Sequence, residues 1–175
     1  SIGELATLSF HETKNFTSGE GGALLLNDPQ FLDRAHILRE KGTNRRKFKD
    51  GRVDKYTWVD VGSSWVMSDL LAGLLLPQLK NRESITSRRR SIFHRYLDGL
   101  SDWAATNHVQ LPSVPDYAFH PGHLFYLIFN HVDQRTTFLS HMAQHGINSV
   151  FHYHALNTSP DRKSTRLNSS HANIS

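Results

Sequence analysis

Short apolar runs alternate with glycine-rich turns in the first forty residues of the chain. The run from Ile2 to Phe10 has strand-like spacing and predicts a first β-strand. The glycine turn SGEGG then leads into a second apolar strand at Ala23 to Leu26. Asp28-Pro29 predicts the start of a helix, because Asp caps free backbone N–H groups and Pro suits the first helical position. This helix is expected to end at Gly42 and to pack an inner face of Phe31, Leu32, Ala35 and Leu38.

The most regular apolar pattern begins after Ser68, a residue suited to capping a helix. Its apolar positions recur at helical spacing and predict a long helix, or a pair of helices, over residues 68–102. Pro77 lies inside this segment and predicts a kink, since a proline in the middle of a helix costs about 3 kcal/mol.

The remaining pattern predicts a smaller α+β region. HLFYLIF, residues 123–129, predicts a buried strand, residues 135–145 a helix ended by Gly146, and INSVFHYH, residues 147–154, a last strand. The sequence is therefore divided into 1–67, a linking helix over 68–102, a small domain over 103–160, and a distinct tail over 161–175. A polar, basic loop between Thr43 and Trp58 is longer than a simple connection, so we expect it to bind or pack against something.

Composition narrows the classes of protein. The chain of 175 residues is 38% hydrophobic, enough for a core, and has no Cys, which excludes disulfides and cysteine-based zinc sites. The net charge of +4 does not by itself indicate nucleic-acid binding, because part of it lies in the tail. The other basic run, Arg88 to Arg90, fits the solvated face of a helix, so nucleic-acid binding is not favoured. The longest apolar run, Leu70 to Leu76, is too short to cross a bilayer, and no secretory signal is evident. A cytoplasmic protein without a membrane partner is expected.

The stretch LSFHETKN, Leu8 to Asn15, carries the first candidate chemistry. Ser9 ends the first strand, and Lys14 follows five residues later. A hydroxyl beside free backbone N–H groups at a strand end can bind an anion, although a plain strand-end cap has the same signature. Spacing alone also leaves open a surface lysine, and His11 fits a structural hydrogen bond equally well.

Several motifs in order resemble the DegT/DnrJ/EryC1 sugar-nucleotide aminotransferases. They are SFHETKN, GEGG, REKGTNR, DKYTW, GSSWVMSDL and VFHYHAL, and the likeness runs over about residues 1–160. The resemblance implies an α/β, aspartate-aminotransferase-like fold, fold type I of the pyridoxal 5'-phosphate (PLP) enzymes, of which this chain would hold only a part. It also implies that Lys14 forms a Schiff base with PLP, that Ser9 donates to the cofactor phosphate, and that His11 lies near the cofactor.

The resemblance further implies a substrate and an assembly. Most family members have G-x-N where this chain has Gly62-Ser63-Ser64. The triplet resembles that of the branch that converts dTDP-4-keto-6-deoxyglucose to dTDP-4-amino-4,6-dideoxygalactose. Glutamate is the amino donor that the resemblance implies. In the expected homodimer, Ser64 would reach the neighbour's cofactor phosphate; an ordinary helix-start role is the alternative. Substrate-binding candidates on the same basis are Arg45, Lys55, Tyr56, His123 and His152.

Three departures qualify these expectations. His152 and His154 share a strand face, but without a third ligand no metal site is expected. The family motif H-Y-x-P-L-H lacks its Pro and second His here. Only 13 residues of this sequence precede Lys14, so we expect it to lack the family's upstream cofactor contacts. Residues 161–175 resemble translated adaptor sequence. We therefore expect an enzyme fragment that is inactive as it stands, with a non-enzymatic basic binding module as the other alternative.

Overall fold

The computed structural model describes residues 2–151. Backbone contacts divide them into two compact units, one of residues 2–103 and 111–126, the other of residues 104–110 and 127–151.

The first unit opens with a β-hairpin. Strand β1, Leu5–Ser9, pairs antiparallel with β2, Gly22–Leu26, in a register that places Leu5 opposite Leu26 and Ser9 opposite Gly22. Glycine is required at the first residue of β2, since a Cβ on Gly22 would lie 2.8 Å from the carbonyl oxygen of Leu8. Both predicted strands and the glycine turn between them are confirmed.

The first helix starts and ends as its caps predict. The Asp28 carboxylate accepts a hydrogen bond of 2.9 Å from the Gln30 N–H, a short 3₁₀ turn covers Pro29–Phe31, and α1 runs over Leu32–Arg39. Gly42 follows in the left-handed conformation, with φ of +74°. The expected inner face is wrong at Leu32, the first residue of α1, which is exposed, whereas Phe31, Ala35 and Leu38 are half-buried.

The long basic loop folds back on itself and contains helix α2, Arg45–Lys49. The side chain of buried Asn44 accepts from the Thr57 N–H at 2.8 Å and donates to the Lys55 carbonyl at 3.1 Å. These bonds tie the loop's two ends together.

The periodic segment forms two helices, α3 over Asp69–Lys80 and α4 over Arg82–Thr106. The Ser68 hydroxyl accepts from the Leu71 N–H at 3.4 Å, which confirms the predicted cap, and Pro77 lies inside α3. Phe93 of α4 is buried, and its ring centroid lies 5.4 Å from that of Phe125. None of the described helices is long and apolar enough to span a membrane.

The second unit is built around α5, Val132–Gln144, after which Gly146 adopts a φ of +71°. The predicted helix and its glycine stop are thereby confirmed. Val109 is buried, and the rings of Phe129 and Phe138 lie 5.2 Å apart between centroids.

The buried strand predicted over residues 123–129 is wrong. Its residues alternate between half-buried and exposed, as in an extended chain, but only Ile128 pairs, through one isolated bridge to Gln110. Residues of strand-like composition form a sheet only where a neighbouring backbone satisfies their N–H and C=O groups, and the described chain offers that partner at one position. The described part of the predicted last strand, residues 147–151, is not a strand either, and the rest of it lies outside the described residues.

Candidate active site around Lys14

Residues 10–21, here called the lysine loop, form a closed connection between β1 and β2. The Phe10 N–H donates to the Gly21 carbonyl at 2.8 Å, and the Phe10 carbonyl accepts from the Ser18 N–H at 2.9 Å. Ser18 is fully buried, and its hydroxyl donates to the Glu20 carbonyl at 2.8 Å. The base of the loop is thus fixed by its own backbone, while its tip faces outwards.

Lys14 lies at this exposed tip. Its backbone N–H donates to the His11 carbonyl at 2.9 Å, which closes a tight turn. Among the described residues, no hydrogen bond or ion pair engages the Lys14 ammonium. An amine without an internal partner is available for reaction with a carbonyl compound.

His11 and Ser9 are connected to the turn at Lys14 by local hydrogen bonds. The Thr13 N–H donates to His11 Nδ1 at 3.3 Å, so the ring proton of neutral His11 is on Nε2, which lies 3.7 Å from the Glu20 carboxylate. The Ser9 hydroxyl accepts from the His11 N–H at 3.4 Å, which leaves its own hydrogen free to be donated. The structure therefore brings together the three predicted residues of the SFHETK stretch.

His123 joins this group from a distant part of the sequence. Its Nδ1 lies 2.7 Å from Oδ1 of Asn15, the residue after Lys14. Burial lowers the pKa of His123, and the positive charges of Arg89, Lys14 and His120 lower it further. His123 and Lys14 are therefore close enough to interact electrostatically.

Two residues that hold the lysine loop were not predicted, namely Asn15 and Gln78. The Gln78 amide, on α3, donates to the Thr17 carbonyl at 2.7 Å and accepts from the Thr17 N–H at 3.1 Å. The only signal in the sequence was the position of Asn15 beside Lys14, and nothing marked Gln78 apart from its helix.

The other candidates cluster elsewhere in the first unit. Ser64 is exposed and forms an isolated backbone bridge with Glu40, whose carboxylate lies 3.4 Å from Nε of Arg45. Lys55 is exposed, and the Tyr56 ring lies 6.3 Å from that of Trp58 between centroids. Within the described chain, no hydrogen bond, ion pair or ring contact links these side chains to Lys14.

Two further expectations concern histidines and metals. His152 lies outside the described residues, as does His154. Among residues 2–151, no three His, Asp or Glu side chains are grouped so as to hold a metal ion.

Several known proteins resemble this chain in sequence or in structure. MJ1066 of Methanocaldococcus jannaschii, itself uncharacterized, is 27% identical over 171 residues, which are 94% of this chain and 43% of that protein. A second similar protein is Spr1654 of Streptococcus pneumoniae, a candidate sugar aminotransferase whose structure has been solved in apo, PLP and PMP forms. Its apo form matches with a TM-score of 0.80 and 27% identity, over 95% of this chain and 42% of that one.

A third structure shares the fold at lower identity. Helicobacter pylori PseC, an aminotransferase involved in the biosynthesis of pseudoaminic acid, matches with a TM-score of 0.78 and 20% identity, over 93% of this chain and 42% of that one. These matches confirm the expected fold class, part of the PLP-dependent transferase fold type I. The chain spans about two fifths of the length of the proteins it matches.

The sequence profile of one protein family, DegT/DnrJ/EryC1/StrS, matches residues 1–173. That match covers nearly the whole chain, including most of the tail, and it agrees with the family expected from SFHETKN and the motifs that follow. The chain belongs to the DegT/DnrJ/EryC1/StrS aminotransferase family.

Proposed function

We propose that the whole protein carrying this chain is a PLP-dependent sugar aminotransferase, with Lys14 as the lysine that binds the cofactor. Family membership supports the class of reaction, and the PLP and PMP forms of Spr1654 support the cofactor. The observation that carries the assignment of Lys14 is its exposed amine on a loop fixed at its base.

The residues present fit this cofactor. Lys14 offers a primary amine for an aldehyde, and Ser9 offers a hydroxyl donor for a phosphate at the end of β1. When bound, PLP supplies an electron sink for the carbon that loses or gains the amino group. The Lys14 Nζ is the group that would move a proton at that carbon, because Lys14 is the only lysine among residues 10–21.

For the substrate, we propose dTDP-4-keto-6-deoxyglucose, aminated to dTDP-4-amino-4,6-dideoxygalactose with glutamate as donor. The Gly62-Ser63-Ser64 triplet supports this branch of the family. Lys55 and Arg45 are the substrate-binding candidates that could pair with the diphosphate of the nucleotide sugar. Lys55 is exposed and has no ion pair among the described residues, whereas Arg45 lies beside Glu40. Lys55 is therefore the better candidate, with Tyr56 beside it.

We further propose that the whole protein is a homodimer in which Ser64 donates across the interface. Large apolar side chains around the start of α3 support this, since Leu70 is 86% and Trp65 is 73% exposed in the single chain. Exposed apolar surface of this extent is typical of a face that is covered in the assembled protein.

A spectroscopic comparison of variants tests the role of Lys14. The whole protein is incubated with PLP, and the absorption band of lysine-bound cofactor is recorded for wild type, Lys14→Ala and the control Lys49→Ala, which alters an exposed lysine of α2. The band should be lost in Lys14→Ala only. Its persistence in Lys14→Ala would remove Lys14 from the role.

The substrate is tested separately, by mass spectrometry of the nucleotide sugars. The wild-type protein with PLP and glutamate should convert dTDP-4-keto-6-deoxyglucose to the 4-amino sugar. If PLP binds Lys14 but this sugar is not aminated, the family reaction stands and the proposed substrate is wrong.

A further inference from the structure

Asn15 connects the lysine loop to a segment more than a hundred residues further along the chain. Its Nδ2 donates to the Pro121 carbonyl at 3.3 Å, and its Oδ1 lies 2.7 Å from Nδ1 of His123. The backbone of His123 is held in turn, because an Arg89 guanidinium N–H from α4 donates to its carbonyl at 3.3 Å. A line of contacts thus runs from α4 through His123 to the residue beside Lys14.

The hydrogen-bond pattern fixes the tautomer of His123. Because Asn15 uses its NH₂ group on Pro121, its oxygen faces the imidazole, and an amide oxygen only accepts hydrogen bonds. Nδ1 of His123 must therefore carry the proton, which leaves Nε2 unprotonated in the neutral ring. His11, three residues before Lys14, has the opposite tautomer.

The electrostatic surroundings favour the neutral ring. The charged or titratable groups that act on His123 are Arg89 from α4, Lys14 from the lysine loop and His120 from its own segment. All three oppose a further positive charge, and burial acts in the same direction, so the pKa of His123 is lowered. The neutral Nδ1–H form is the one that prevails around neutral pH.

Gln78 completes the arrangement on the other side of the loop. It binds both the N–H and the carbonyl of Thr17, two residues after Asn15. The segment after Lys14 is thus attached at two points, to α3 through Thr17 and to the 121–123 segment through Asn15. The first attachment fixes the backbone of the loop, and the second lies directly beside Lys14.

We infer that the hydrogen bond from His123 to Asn15 positions Lys14, so that His123 is a positioning residue for the loop. The bond restrains the peptide that follows Lys14 and so limits the directions that its side chain can take. The benefit to catalysis rests on the proposed function, but the restraint itself is a property of the chain and is measured without PLP.

Local proteolysis measures the restraint, since trypsin cleaves after Lys14 only when the loop opens. The whole protein without cofactor is treated with trypsin, and cleavage at Lys14 is followed by mass spectrometry relative to cleavage at Lys49. His123→Ala should accelerate cleavage at Lys14 by about 2- to 12-fold, the range for loss of one hydrogen bond. His123→Asn, which retains an N–H donor near the position of Nδ1, should return the rate towards wild type.

His131→Ala serves as the matched control, because His131 is exposed and makes no capping bond at α5. It should leave cleavage at Lys14 unchanged. An unchanged rate in His123→Ala, or a rate in His123→Asn as high as in His123→Ala, would overturn the inference.

The tautomer provides a test that needs no variant to fold. Nitrogen-15 spectra of the histidine rings should show His123 as the Nδ1–H tautomer; the Nε2–H tautomer would overturn the inference. Failure of the proposed function has a different signature: borohydride would fix PLP on a lysine other than Lys14 while the proteolysis and tautomer results still held.

Discussion

The backbone around Gly42 leaves no room for a side chain, and this permits a quantitative prediction about substitutions there. The residue has a φ of +74°, and a Cβ added to it would lie 1.8 Å from the Asp60 carbonyl oxygen. Gly42 itself accepts from the N–H groups of Val59 and Asp60, at 2.8 and 3.0 Å. Because the obstacle is backbone that is hydrogen-bonded to the same residue, no side-chain rotation can relieve the collision.

The chain offers a matched control in Gly51. Its φ is +69°, close to that of Gly42, but an added Cβ would meet nothing within 4 Å. Gly51→Ala should lower the free energy of unfolding by about 1–2 kcal/mol, the cost of holding an alanine in the left-handed conformation. Alanine at Gly42 incurs this and a further overpacking cost of about 1–3 kcal/mol, so its expected total is about 2–5 kcal/mol.

Urea denaturation of the whole protein, followed by circular dichroism, measures both changes in the free energy of unfolding. Gly42→Ala should be the more destabilising by about 1–3 kcal/mol, the overpacking difference alone. Gly73→Ala gives the opposite sign as a further control: it lies inside α3 with nothing within 4 Å of its added Cβ, and it should stabilise by about 0.5–1 kcal/mol. Equal losses for Gly42→Ala and Gly51→Ala would refute the inferred collision and, with it, the described contact between Gly42 and the backbone of Asp60.

Three further predictions follow from the helices and from His123. Ser68→Ala should lower the free energy of unfolding by about 0.5–2 kcal/mol through loss of the α3 cap, whereas Ser68→Asp should not. The folded-state pKa of His123 lies below its ordinary value of 6.5, so the unfolded chain binds more protons below that pH. The free energy of unfolding should therefore fall as the pH is lowered below 6.5, and it should fall by more in the wild type than in His123→Asn. A smaller fall in the wild type would contradict the lowered pKa of His123. Leu70→Asp should lower the mass found by sedimentation if α3 lies in the proposed dimer interface, and an unchanged dimer would exclude Leu70 from it.

Local signals in the sequence predicted the helix ends well. Asp28, Ser68 and the glycines at 42 and 146 act through hydrogen bonds or backbone angles within a few residues, so their neighbours in sequence are sufficient to define their role. The β-hairpin follows from the same kind of signal, a glycine turn between two apolar runs.

Features that depend on distant partners were missed. Residues 123–129 have the composition of a strand, but pairing is decided by a second backbone, which the described chain provides only at Gln110. The contacts of Asn15 with His123 and of Gln78 with Thr17 span long separations in sequence, and no periodicity encodes them. The motif around Lys14 led to the prediction that this residue binds the cofactor, whereas the groups that hold the lysine loop became evident only from the fold.

Chemical trapping of the cofactor is the most direct test of the central claim, that the Lys14 amine binds PLP. The PLP-loaded whole protein is reduced with borohydride and digested, and the modified lysine is identified by mass spectrometry. The account predicts the reduced cofactor on the peptide that contains Lys14, with trypsin no longer cleaving at that residue. Unmodified Lys14 together with a cofactor fixed on another lysine would contradict it.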